Sequence, residues 1–351
     1  MVFLTLYLSY VSQDLLQLII YISWFYLKLH CLAQTLAVMS FARKKLVCAI
    51  FNYHKRYANP RQMSARGKHL IAVCQTTASA DKTYNVDNCS KMVTEAAEKN
   101  AKIAFLPESF DFIVSDSRKK IDLAERIDGP IVCHFQELAK SLNIWISLGG
   151  LHEKGPDTDS DKIYITHILI NNLGQITGLY RKCHLFDIRM KDGPTLLESK
   201  STLPGQDITP PIYTPCGKIG LQICYDIRFP EQANVLTQQG ADILTFPSAF
   251  TFVTGMAHWE VLLRARAIEN QCYVVAAAQV GSHDGGRQSF GHSIVVDPWG
   301  TIVAEQKENG PGVLFADIDL EYLGKVRARM PVFQHRRYDL YNNPLLKGTN
   351  R

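Results

Sequence analysis

The stretch Lys218-Ile219-Gly220-Leu221-Gln222-Ile223-Cys224 and its continuation Tyr225-Asp226-Ile227-Arg228-Phe229-Pro230-Glu231 leave the chain few ways to fold. Branched apolar residues running up to Cys224 read as a buried strand, and Pro230 with Glu231 suits the first turn of a helix that ends before Gly240. Cys224 therefore lies at a strand-to-helix corner. Uncommitted backbone N–H groups and the positive end of a helix dipole would favour thiolate over thiol there. The alternative at this point is an inert structural cysteine, which is how most free core thiols behave.

From His69 onward the pattern is regular. Strands are expected at Leu70 to Thr76, Lys102 to Leu106 and Ile144 to Leu151, with helices at Asn85 to Asn100 and Pro130 to Leu142. Ile163 to Asn171 and Gln175 to Tyr180 form a hairpin about Asn172-Leu173-Gly174. After the Cys224 corner come strand Ile243 to Phe246, helix His258 to Asn270 and strand Cys272 to Gln279. A second hairpin, His292 to Val296 with Thr301 to Ala304, turns at Asp297-Pro298-Trp299-Gly300, and Val313 to Ile318 precedes a basic tail. Helices alternating with strands, then adjacent hairpin strands, indicate an α/β protein with a mixed sheet in one domain.

Composition narrows the function. With 46% hydrophobic and 20% charged residues, the 351-residue chain has the make-up of an ordinary globular protein. The net charge of +5 comes largely from the N-terminal part, and no polyanion-binding stripe follows it, so a nucleic-acid partner is not expected. The nine cysteines are odd in number and lack short paired spacings, which fits reduced thiols better than a disulfide framework or a zinc site. The eleven histidines show no metal-ligand spacing, and His134, His152 and His167 read as surface or satisfied core positions.

Residues 1–68 read as a leader and possible targeting segment, 69–341 as the working domain and 342–351 as a tail. The apolar piece from Leu15 to Leu27 is short for a membrane span, so stable membrane association is not expected. Between Met39 and Lys68 stand Arg43, Lys44, Lys45, Lys55, Arg56, Arg61, Arg66 and Lys68 with no acid, the composition of a mitochondrial transit peptide. Starting at Met63 would remove it, giving the expectation of mitochondrial and cytoplasmic forms.

A nucleophilic thiol needs a base. Glu108 follows the strand ending at Leu106, so it too sits at the carboxyl end of an apolar strand, where open α/β sheets place their sites. Among Phe105, Pro107 and Phe110 it should be partly desolvated and its proton affinity raised. Lys182 ends the strand through Leu179-Tyr180, where a cation can hold a developing oxyanion. Either residue alone reads more readily as a solvated surface charge. Together with Cys224 they make a base, an oxyanion partner and a nucleophile, a complete set for acyl transfer.

These residues carry a resemblance. Phe105-Leu106-Pro107-Glu108, Tyr180-Arg181-Lys182-Cys183-His184 and Cys224-Tyr225-Asp226-Ile227-Arg228-Phe229-Pro230-Glu231, in this order, resemble the three catalytic motifs of the nitrilase superfamily of carbon–nitrogen hydrolases, over about Leu70 to Tyr341. The resemblance implies a four-layer α-β-β-α sandwich, a homodimer or higher homo-oligomer, and a small-molecule amide substrate without metal or organic cofactor. It adds Glu198 in Leu196-Leu197-Glu198-Ser199-Lys200, which would position Lys182 and Glu108, and gives the Tyr225 backbone N–H to the oxyanion. Phe246-Pro247-Ser248-Ala249-Phe250, the helix from His258 to Glu269, Gln271 to Gln279 and Val332-Phe333-Gln334-His335-Arg336-Arg337 resemble most the deaminated glutathione amidase branch. In some animals that branch is fused to a Fhit domain, whose His-x-His-x-His motif these 351 residues lack. Omega-amidase, cleaving smaller 2-oxo acid amides such as 2-oxoglutaramate, is the nearer sister; a non-catalytic scaffold on the same fold is the alternative of another class. Arg228 is the candidate clamp for a 2-oxo acid carboxylate, its competing role being an ion pair with Asp226 or Glu231. Arg264 and Arg266 read as dimer or solvent-face contacts.

Overall fold

The computed structural model describes residues 67–155, 161–189, 195–307 and 309–341. The expected leader, up to residue 66, and the tail from residue 342 lie outside the described residues. Among the described residues no helix is long and apolar enough to cross a membrane.

In chain order the strands are β1 (Lys68–Gln75), β2 (Ile103–Phe105), β3 (Trp145–Lys154), β4 (Ile163–Ile170) and β5 (Ile176–Arg181). A short ribbon of β6 (Asp187–Arg189) and β7 (Thr195–Leu197) follows, then β8 (Ile212–Thr214), β9 (Gly217–Leu221), β10 (Ile243–Thr245) and β11 (Tyr273–Ala276). A second ribbon pairs β12 (Val280–Ser282) with β13 (Gln288–Phe290), before β14 (Ile294–Val296), β15 (Ile302–Glu305) and β16 (Gly312–Asp319). They build two six-stranded sheets, ordered β16-β1-β2-β3-β4-β5 and β15-β14-β11-β10-β9-β8. Each is mixed, as the sequence pattern predicts, but there are two sheets.

The period-two alternation of a strand explains how one sheet serves two cores. In β1, Ile71 and Val73 join the core between the sheets with Phe105, Ile165, Leu221 and Val275, while Ala72 and Cys74 pack outward. Outside the first sheet lie α1 (Lys82–Glu98) and α3 (Pro130–Leu142), with Val93, Ala96, Val132 and Phe135 against Ala72, Ala104 and Ile146. Outside the second lie α4 (Pro230–Gln238) and α5 (Phe252–Asn270), burying Leu236, Trp259 and Leu263. The result is the helix–sheet–sheet–helix sandwich that the resemblance implies. Each fully buried Ile, Val or Leu contributes roughly 2 kcal/mol by leaving water.

Local chemistry sets the ends. Asp81 caps α1 by accepting the Tyr84 N–H at 3.1 Å, and Asn143, left-handed at φ 53°, closes α3 after Pro130 opened it. Helix α5 starts six residues before the expected His258, because Thr251 caps it by accepting the Thr254 N–H. Two short elements carry no strong sequence signal: α2 (Ser117–Leu123), capped by Asp116, and the β12–β13 ribbon. The basic stretch after β16 is not a tail at first but helix α6 (Leu320–Arg329), capped by Asp319. Arg266, expected on a surface, is buried and paired with Glu269 at 2.7 Å, while Arg264 bonds Glu260 and the Gly300 carbonyl.

Candidate active site

Three strand ends meet where the two sheets face each other. Glu108 follows β2 on a loop pinned to β3 by the bonds Leu106 N–H to Ser147 O (2.8 Å) and Ser109 N–H to Gly150 O (2.9 Å). Strand β3 bulges between Leu148 and Leu151. Gly149 sits in that bulge because a Cβ there would lie 2.1 Å from the Leu106 carbonyl oxygen and 2.3 Å from Pro247 Cβ. A side chain at this position would push the two sheets apart at the site.

Lys182 leaves β5 with its backbone held by Ile165 O and its ammonium 2% exposed. Its Nζ donates to Glu108 Oε1 at 2.8 Å and to Glu198 at 2.9 and 3.1 Å. Glu198 opens a single 3-10 turn (Glu198–Lys200) after β7 and also accepts the Phe186 N–H at 2.7 Å. It reaches Glu108 only through Lys182. The second oxygen of Glu108 accepts the Ala249 N–H at 2.9 Å.

Cys224 follows β9 at the first residue of a 3-10 turn, Cys224–Arg228, that leads into α4. Its φ of 44° is left-handed, a conformation that costs a residue with a side chain on the order of 1–3 kcal/mol and clusters at functional corners. The surroundings hold it there. Cys224 N–H donates to Pro247 O at 2.9 Å. Asp226, fully buried, accepts Ile223 N–H (2.8 Å), Tyr180 O–H (2.7 Å), His184 Nδ1–H (2.7 Å) and His184 N–H (3.2 Å). One carboxylate thus ties the segment after Lys182 to the corner carrying Cys224. The His184 ring lies flat on Phe229 at 3.7 Å.

The electrostatics differ from both sequence expectations. Burial pushes the Cys224 thiol up, and the adjacent Glu108 charge pushes it further, against the weaker opposing pull of Lys182. The corner therefore favours a neutral thiol. Burial, the largest single influence, would raise Glu108 as well, but the charge and hydrogen bond of Lys182, with smaller help from Cys224 and Arg287, together hold the carboxyl below the ordinary value of 4.5. Lys182 itself is held far above its usual range: burial opposes its charge, and the two carboxylates overcome that penalty. The resting site is thiol, carboxylate and ammonium side by side.

Sequence reading brings Glu108, Lys182, Cys224 and Glu198 together and misses what orients them. Gln279, fully buried, donates to Glu108 O (3.0 Å) and Ser109 O (3.2 Å) while accepting the Ala78 N–H. Nothing local in Ala278-Gln279-Val280 announces this. The Tyr225 N–H donates no hydrogen bond among the described residues. Arg228 pairs with neither Asp226 nor Glu231; its guanidinium faces His258 Nδ1 at 3.3 Å and the rings of Phe250 and Tyr225 at 5.5 and 5.7 Å.

A narrow recess with about 10 Å³ of free volume opens onto Cys224, lined by Phe186, Tyr225, Arg228, Phe250, Thr251 and Thr254. A larger groove of about 520 Å³ runs beside α1 past Asn85 and Met92, yet its lining contains none of Glu108, Lys182 or Cys224. Chemistry, not size, locates the site.

The profile of the carbon-nitrogen hydrolase family matches residues 70–328. The chain is 54% identical over 275 residues to deaminated glutathione amidase of Bos taurus, covering 78% of this chain and 84% of that protein. It is 50% identical over 281 residues to the nitrilase and fragile histidine triad fusion protein NitFhit of Caenorhabditis elegans, covering 80% of this chain and 63% of that one. The crystal structure of the C. elegans protein superposes with a TM-score of 0.75 at 49% identity, over 79% of this chain and 67% of that one. A fold of two facing sheets, an acyl-transfer set at their junction and these relatives lead to one conclusion: the chain belongs to the carbon-nitrogen hydrolase family and is an amidase of the nitrilase superfamily.

Proposed function

We propose that the chain hydrolyses deaminated glutathione to 2-oxoglutarate and cysteinylglycine through a thioester on Cys224. The observation that carries the chemistry is Lys182 Nζ bridging Glu108 at 2.8 Å and Glu198 at 2.9 Å where the left-handed Cys224 corner meets them, an arrangement that favours a thiol beside an ionised Glu108. As the thiol attacks the amide carbonyl, Glu108 takes its proton and the new oxyanion is held by Lys182 Nζ and the Tyr225 N–H. Glu108 then returns the proton to the departing amine, and the C–N bond breaks to leave the thioester. Water enters, loses a proton to Glu108 and cleaves the thioester; the acid departs and the thiol is restored. Glu198 keeps Lys182 aimed. Arg228, free of any carboxylate among the described residues, takes the 2-oxo acid carboxylate.

The substrate reading rests on relatives bearing that name at 50% identity or more. Intact-mass measurement after mixing enzyme with deaminated glutathione should reveal a 2-oxoglutaryl adduct that disappears in Cys224→Ala, together with released 2-oxoglutarate. Turnover of 2-oxoglutaramate but not of deaminated glutathione would move the enzyme to omega-amidase.

The outer face of α5 exposes Val253, Met256 and Val261, each about two-thirds accessible, which supports a homodimer; light scattering that gives a monomer at micromolar concentration rejects it. Distribution between mitochondrion and cytoplasm rests on the basic stretch from Met39 to Lys68. Tagged chains begun at Met39 and at Met63 should separate, and identical distributions reject the idea.

A further inference from the structure

Arg228 lines the recess together with Cys224, but its side chain is long, and a guanidinium clamp discriminates only when its planar fork is held in one orientation. The rings of Phe250 and Tyr225 stand 5.5 and 5.7 Å from the guanidinium carbon. Among the described residues its polar partner is His258 Nδ1, which lies 3.3 Å from Nη1 and 3.3 Å from Nη2. A single atom equidistant from both terminal nitrogens meets the fork end-on. The side edge, formed by Nε and the neighbouring terminal nitrogen, keeps donors without a protein acceptor among the described residues, and a carboxylate binds such a pair with its two oxygens.

The contact constrains the imidazole as well. A guanidinium has donors and no acceptor, so Nδ1 must offer a lone pair, which places the ring proton on Nε2 and leaves the ring neutral. Protonating Nδ1 removes that acceptor and sets a second cation against Arg228. The ring is exposed to solvent protons, while its backbone is fixed: the next residue, Trp259, is buried, donates Nε1–H to His292 O at 2.8 Å and packs its ring 4.8 Å from Phe250. Helix α5 rests on the Cys224–Arg228 turn, α4, β11, β13 and β14. Few competing charges come from these elements. In the turn, Cys224 and Tyr225 line the recess and Asp226 is engaged by Tyr180, His184 and Ile223 N–H. Helix α4 brings Glu231, which is exposed, and β11 brings Tyr273, whose hydroxyl bonds Asp319 O; β13 and β14 bring no titratable group. On α5 itself Glu260 pairs with Arg264 and Glu269 with Arg266. Arg228 is the charge that His258 answers to.

We propose that neutral His258 is the positioning residue that holds the Arg228 fork ready for the 2-oxo acid carboxylate, and that protonating His258 releases the clamp. The assignment rests on the reading of Arg228 given above. His258 acts through Arg228 and not on the reacting atoms, so it governs how tightly the acyl end is bound and leaves the bond-breaking step alone. Its effect is confined to substrates that carry that carboxylate. The enzyme therefore selects 2-oxo acid amides over uncharged amides more sharply in neutral than in acidic solution.

The test follows release of cysteinylglycine from deaminated glutathione and from its analogue in which the 2-oxo acid carboxylate is a primary amide, between about pH 8 and about pH 5, where histidine changes charge. For the native enzyme, KM of the charged substrate should rise about tenfold as pH falls, the worth of one charge-assisted contact, with kcat following the same pH course on both substrates. His258→Asn, whose Oδ1 replaces Nδ1 and does not titrate, should keep the low KM throughout. His258→Leu should show the raised KM at every pH, and KM for the neutral analogue should be alike in all three proteins. A His258→Leu variant with the native KM and pH course, or with a lower KM, overturns the positioning role; so does an equal loss of kcat on both substrates, the mark of a purely structural residue. A native enzyme that binds the charged and neutral substrates alike at neutral pH overturns the Arg228 clamp and this role with it. No cysteinylglycine from either substrate overturns the amidase reading on deaminated glutathione itself.

Discussion

The two sheets are built alike and equipped differently. Each has three parallel strands at its centre, β1-β2-β3 in one and β9-β10-β11 in the other, flanked by antiparallel partners. The first sheet delivers charge: Glu108 after β2 and Lys182 after β5, already paired at 2.8 Å. The second delivers Cys224, a neutral group on a left-handed backbone. Charges buried alone are costly, so they arrive as a mutually satisfied set. A thiol carries no such cost and tolerates isolation until a substrate arrives. The division of labour puts the electrostatics on one sheet and the strained geometry on the other, and Asp226 bridges them.

Removing each side in turn should break the comparison unequally. Glu108→Gln abolishes the acceptor for the thiol proton, and kcat should fall by roughly 10³- to 10⁴-fold in a stopped-flow or steady-state assay while the protein stays folded. A loss under tenfold would remove Glu108 from the role of base. Lys182→Met leaves Glu108 and Glu198 buried without their cation, so denaturant unfolding should show about 3–5 kcal/mol less stability, with activity also lost.

The same variant has a pH signature. Glu108 is held below 4.5, so its stabilising contribution is present above that value and is lost as pH falls through the depressed one. In Lys182→Met the main influence opposing burial is gone and only the weaker ones of Cys224 and Arg287 remain, so the carboxyl moves up, and any residual activity and stability should fail at higher pH than in the native enzyme. An acid limb that stays in place contradicts the pairing. Asp226→Asn weakens the bridge between sheets without touching substrate; kcat should drop about 10- to 100-fold with KM little changed. Equal stability loss with full kcat would make Asp226 merely structural. Smallest of all, Arg228→Lys should raise KM for a 2-oxo acid amide about tenfold at constant kcat, because the planar fork is lost.

Much of this was legible in the chain because strand ends are local events. An apolar run that stops at Glu108, Lys182 or Cys224 shows where the residue sits along the fold, and the motifs around them name the family. The charge states were not legible. Reading Phe105, Pro107 and Phe110 as desolvating is right about burial, yet the sign of the shift on Glu108 is decided by Lys182, 74 positions away in sequence. The expected thiolate failed for the same reason: the helix dipole is local, whereas Glu108 comes from the other sheet. Gln279 lies 171 positions from the loop carbonyl it holds. The β12–β13 ribbon, with its Gly285-Gly286 turn, is too short and polar for periodicity to reveal.

The neutral resting thiol has a consequence for survival in the cell. Alkylating agents and peroxides react with thiolates, and a thiol kept protonated reacts slowly with both. Cys224 is only 7% exposed, and burial first, with the Glu108 charge second, keeps the thiol in its unreactive form. On the proposed mechanism an unoccupied enzyme is thereby spared indiscriminate electrophiles, and the sulfur becomes a nucleophile only when a carbonyl is in place to receive it.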